Sequence, residues 1–128
     1  MYSVIRFLGI SISQMNNLAE SINMALPEFC EHVEPCVQCR TQFSFEVLDN
    51  SEWSEQHAEI IRVLKIIGPI IINSYNNYPN LEIHLDIAVY ASDYLGRFIT
   101  EMYSTPELLH LLSELKIAMI ISIYNSKN

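Results

Sequence analysis

The sequence predicts an α+β fold: a two-layer sandwich in which a mainly antiparallel sheet of about five strands carries three helices on one face. Three observations lead there. Stretches that alternate apolar and polar residues, such as LEIHLDIAVY, outnumber stretches whose apolar residues recur every three or four positions, such as MNNLAESINMAL. Each helical stretch has one apolar stripe, so each needs one surface to cover. With 128 residues, half of them hydrophobic, and only three glycines, the chain is long enough to bury a core without staples and has no linker-like tract. It therefore reads as a single domain, 1–128.

The elements follow in order. Tyr2 to Ile10 alternates as a strand, too regularly for a signal peptide. Ser11 or Ser13 then caps a helix with Met15, Leu18, Ala19, Ile22, Ala25 and Leu26 on one face, which Pro27 ends. Val37, Cys39, Thr41, Phe43, Phe45 and Val47 alternate with polar residues in a second strand. Asp49, Ser51, Glu52 and Ser54 offer N-cap chemistry for a helix through Trp53, His57, Ile60, Ile61, Leu64 and Ile67. Gly68-Pro69 should break or kink that helix before a short turn through Ile72. Leu81 to Tyr90 is a third strand, and Arg97 to Met102 a short fourth. Thr105-Pro106-Glu107 opens a helix bearing Leu108, Leu111, Leu112 and Leu115, with Lys116 near its end to suit the dipole, and Ile117 to Tyr124 is the last strand. One sheet face should be polar, carrying Arg6, Gln42, Ser44, Glu46, Glu82, His84, Asp86 and Tyr90.

Charge is unevenly spread. From Glu20 to Glu59 nine acids stand against one cation, Arg40, and the net of −8 equals the formal charge of the whole chain. Counterion release, which drives binding to phosphate backbones, would run the wrong way, so nucleic acid is excluded as a partner. No apolar run reaches the ~20 residues needed to cross a bilayer, so no membrane partner is expected and the protein should be cytoplasmic. The acidic third reads either as a solubilising surface or as a docking surface for a basic protein, with Glu28, Glu31, Glu34, Asp49, Glu52, Glu55 and Glu59 as contacts. Trp53, with Tyr75 and Tyr78, would supply aromatic anchors.

All three cysteines fall within CEHVEPCVQC. Cys36 and Cys39 have a zinc-gripping gap, and Cys30 and His32 would complete four ligands. Against this, all four lie in one short segment, and strand alternation points Cys36 and Cys39 to opposite faces. Reduced, ordinary cysteines are the expectation, with no metal and no cofactor. His57, His84 and His110 fall on different elements, no nucleophile elbow exists, and Gly9, Gly68 and Gly96 are too scattered to cradle a phosphate. The sequence thus predicts no enzyme. The alternative is a small enzyme or ligand-binding domain on the polar sheet face, with His84, Asp86 and Glu82 as acid or base groups.

A first strand with a Ser-rich turn, WSEQHAEIIRVLKIIGP, LEIHLDIAVY and the closing TPELLHLLSELKIAMIISIY resemble small acidic bacterial immunity proteins of contact-dependent inhibition and other polymorphic toxin systems. The resemblance implies a cytoplasmic antidote that binds a cognate toxin domain, often a basic nuclease, as a monomer or homodimer. It carries no catalytic residues with it.

Overall fold

The computed structural model describes residues 1–27, 42–49, 52–90 and 102–124. They form β1 (Tyr2–Leu8), α1 (Ile12–Ala25), β2 (Gln42–Leu48), α2 (Trp53–Asn77), β3 (Glu82–Tyr90), α3 (Pro106–Glu114) and β4 (Ile117–Tyr124). Among the described residues the sheet has four strands in the order β2-β1-β3-β4. β1 runs antiparallel to both neighbours, while β3 and β4 are parallel. The architecture is the expected α+β one, with a mixed sheet. The strand expected at Arg97 to Met102 lies outside the described residues except for Met102, which is not in a strand.

β2 and β3 point the same way on either side of β1, so α2 connects them over the top of a strand made earlier, and α3 joins β3 to its parallel neighbour β4. The inward-facing residues are those that alternation selects: Ile5 and Phe7 from β1, Phe43, Phe45 and Val47 from β2, and Ile83, Leu85, Ile87 and Val89 from β3, all buried. Phe7 stacks on Phe43 and Phe45 at ring separations of 5.2 and 6.2 Å. Against them pack Met15, Leu18 and Ile22 of α1, Ile60, Val63, Leu64, Ile67 and Ile71 of α2, and Leu108 and Leu112 of α3.

Local chemistry explains the ends. Ser11 caps α1 in a full capping box: its Oγ accepts from the Gln14 N–H at 3.3 Å, and the Gln14 Oε1 accepts from the Ser11 N–H at 3.0 Å. Thr105 caps α3 by accepting from the Leu108 N–H, with Pro106 in the first turn. Gly9 turns β1 toward α1 at φ +82°, where an added Cβ would press on the Asn80 carbonyl oxygen.

One expectation is corrected, that of a break at Gly68-Pro69. α2 runs without interruption through Gly68-Pro69 for 25 residues. Pro69 removes one backbone donor, but it and Lys65, whose carbonyl it frees, lie on the exposed side, while Ile67, Gly68, Ile71 and Ser74 continue the buried stripe. Lys116 lies beyond the last turn of α3, in the left-handed region at φ 53°, linking α3 to β4. Its backbone N–H still returns to the Ser113 carbonyl at 3.2 Å, which closes the helix without a glycine.

Between β1 and β2 the register shifts, because Ser3 sits opposite Leu48 and Val4 opposite Glu46, leaving Val47 as the extra residue of a bulge. Gln56 of α2, fully buried, mends the disrupted ladder. Its Nε2 donates to the Met1 and Leu48 carbonyls at 3.0 and 3.2 Å, and its Oε1 accepts from the Ser3 hydroxyl at 2.5 Å.

Candidate functional site

Of the acids from Glu20 to Glu59, Glu46, Asp49, Glu52, Glu55 and Glu59 follow one another where β2 hands over to α2. Among the described residues β2 is an edge strand of the sheet. Glu46 is exposed on the open face of the sheet, and Asp49 is exposed just after the strand. Glu52 occupies the N-cap of α2 without a side-chain cap bond, its carbonyl accepting instead from the Glu55 and Gln56 N–H groups at 3.1 and 3.0 Å. Glu52, Glu55 and Glu59 follow at helical spacing, so they share one side of the helix, and Glu55 in the first turn complements the dipole. Glu59 is held by Arg62, with Nη2 to Oε1 at 2.6 Å. Glu20 is exposed on α1. Glu28, Glu31 and Glu34 lie outside the described residues, as do Cys30, His32, Cys36 and Cys39. Among the described residues no group of three His, Cys, Asp or Glu side chains gathers to hold a metal.

Trp53 has a different role from the docking anchor expected of it. It is 2% exposed, and its Nε1–H donates to the Tyr103 carbonyl at 2.7 Å. Its ring meets those of His57 and Tyr103 edge-on at 5.7 and 6.4 Å, and His57 Nε2 lies 3.0 Å from the Thr105 hydroxyl that caps α3. Trp53 therefore ties the start of α3 to α2 from within the core. Tyr75 and Tyr78 are half-buried against the same core.

The open sheet face divides into three parts. In the middle, Asp86 uses both oxygens: Oδ2 accepts from Arg6 Nε at 3.3 Å and Oδ1 from the Ser122 hydroxyl at 3.0 Å. Toward the start of β3, a shallow cleft of about 340 Å³ is lined by Tyr75, Pro79, Leu81, Glu82, Ile83, His84, Lys116 and Ala118. His84 Nε2 stands 3.8 Å from Glu82 there. The Tyr75 hydroxyl donates to the Lys116 carbonyl at 3.1 Å, and burial pushes it up to about 12. The trio His84, Asp86 and Glu82 is thus split, with two members on the cleft and Asp86 committed elsewhere.

At the other end of the face, Tyr2, Tyr90 and Tyr124 form a row across β1, β3 and β4, with successive rings 5.9 Å apart. Burial raises the Tyr2 hydroxyl above its ordinary range, with Tyr90 adding to the effect. Only Tyr90 stood out from strand alternation. The row exists because the ends of strands far apart in sequence are brought level by the sheet.

The chain matches no family model, no curated protein and no solved structure. Among the described residues no helix is long and apolar enough to cross a membrane.

Proposed function

We propose that this chain is a non-enzymatic, cytoplasmic binding module that neutralises a cognate basic toxin domain of nuclease type through its acidic edge. The observation that carries the reading is the placement of charge: a net of −8 within Glu20 to Glu59, where Glu46, Asp49, Glu52 and Glu55, four of the six described acids, are exposed around β2 and the start of α2. Concentrated charge of one sign speeds encounter with a basic partner and rejects acidic ones. Trp53 and Gln56 support the reading indirectly, because they fix the first turn of α2 to the sheet and to α3 and so hold Glu52 and Glu55 in place. The resemblance to immunity proteins agrees with this arrangement.

The test is a titration of the purified protein against the product of the reading frame immediately upstream, at low and high salt. A one-to-one complex that weakens with salt is expected. Reversing charge with Glu52→Lys and Glu55→Lys should slow association by about tenfold at low salt, change dissociation less, and lose its effect near 1 M salt, where screening acts within ~3 Å. Binding indifferent to salt and to both substitutions refutes the electrostatic mechanism.

A second reading, a small enzyme or ligand-binding domain, is favoured by one observation, the cleft that sets His84 and Glu82 beside Tyr75 and Lys116. Absence of a protein partner, together with a bound small molecule displaced by His84→Ala, would move the assignment there.

A further inference from the structure

The strand at the edge opposite the acidic one has a composition that edge strands ordinarily avoid. β4 reads IAMIISIY, eight residues with no proline and no side chain charged at neutral pH, and within the described sheet it pairs only with β3. Natural edges are blunted by lysines, prolines or bulges, because a free row of backbone donors and acceptors recruits another strand. Here the side chains are open on both faces: Ile120 and Tyr124 on one, Ile121 and Ile123 on the other, with exposures of 38, 44, 49 and 72%.

We infer that β4 is a self-association edge, where a second copy of this chain pairs antiparallel with the first and extends the sheet across a two-fold axis. Three features identify the occupant as a second copy. An antiparallel pairing centred on Ile120 lays Ile117–Ile123 onto itself, so that Met119 faces Ile121 and Ile117 faces Ile123 of the other copy on the helix side, and Ile120 meets its own mate on the open side. A basic partner would find no acid on β4. The sheet order also keeps the acidic edge at β2, with β1 and β3 in between, so two copies joined through β4 hold their negative surfaces apart and each remains open to its own partner. Pairing one strand from each copy buries on the order of 1,000 Å², the low end for a specific interface, so the dimer should be reversible.

The experiment is sedimentation velocity on the full chain over a wide concentration range, in reductant to silence Cys30, Cys36 and Cys39. Wild-type protein should pass from monomer to dimer, independently of salt. Ile121→Lys and Ile123→Lys should stay monomeric at every concentration, with unchanged far-ultraviolet circular dichroism. Because Ile123 is the most exposed of the four side chains, its substitution keeps the test valid even if Ile121→Lys folds poorly. Glu55→Lys, on the acidic edge, should dimerise as wild type does. A wild-type protein that is monomeric throughout, or a dimer that survives substitution of both isoleucines, overturns the inference. Neither result touches toxin binding through the acidic edge, which has its own salt-dependent readout.

Discussion

Replacing Gln56 with leucine keeps the volume of a buried side chain and removes three hydrogen bonds at once. The Ser3 hydroxyl, itself fully buried, loses its acceptor, and the carbonyls of Met1 and Leu48 lose their donor at the bulge. An orphaned buried hydroxyl costs about 1–3 kcal/mol; the two carbonyls belong to half-buried residues that water reaches more easily, and they should cost about 0.5–1 kcal/mol each. Some of this is offset by burying an apolar side chain, so a net loss of about 2–4 kcal/mol is expected. Urea unfolding of wild type, Gln56→Leu, Ser3→Ala and the double variant measures it. Removing both partners of a buried bond is cheaper than removing one, so the double variant should be more stable than the sum of the single losses implies, by about 1–2 kcal/mol. A Gln56→Leu protein within about 0.5 kcal/mol of wild type, or single losses that simply add, would refute the view that this side chain mends the ladder.

Two glycines should respond in opposite directions. Gly9→Ala forces a Cβ onto the Asn80 carbonyl at φ +82° and should lose about 1–3 kcal/mol in urea melts. Gly68→Ala places its methyl 3.6 and 3.9 Å from the Leu115 methyls, ordinary contact distances, inside an intact helix, and should gain about 0.5–1 kcal/mol. The Tyr75 hydroxyl, raised to about 12 by burial, stays protonated in the folded chain over a pH range where the unfolded chain ionises. Its contribution is therefore complete below about pH 10 and declines as pH climbs toward 12, so the stability difference between wild type and Tyr75→Phe should change in disfavour of wild type over that interval. A difference that stays constant with pH would count against burial as the cause.

The periodic part of this fold was legible in the sequence because its signals are local. Ser11 with Gln14, and Thr105 with Pro106, mark two helix starts, and the alternation in LEIHLDIAVY separates the buried from the open face of β3. What escaped depends on contacts between distant segments. Pro69 is a local breaker, yet the buried stripe of α2 on either side of it outweighs one missing donor. Nothing in IAMIISIY tells which neighbour β4 takes or in which direction. A docking role for Trp53 conflicts with its spacing to Gln56, His57 and Ile60, which places it on the buried stripe. Gln56 carried a usable signal of its own, an uncharged polar residue on an apolar helix face, which calls for buried partners. On the site itself, exposure of Glu52 and Glu55 followed from sequence, but the division of His84 and Asp86 between a cleft and an ion pair required the register of β1 against β3.

The placement of β1 sets the order in which this molecule can be made. The first of the four described strands occupies the interior of the sheet, and its partner on one side, β3, follows about eighty residues later, as the Arg6–Asp86 contact shows. While the chain leaves the ribosome, β1 has no completed neighbourhood, and loop closure over that span must precede any gain from pairing. Folding should therefore wait for the third strand and then proceed as one cooperative event, without a stable amino-terminal intermediate. A chain truncated after α2 should be degraded or aggregate, with the unpaired side of its first strand left open.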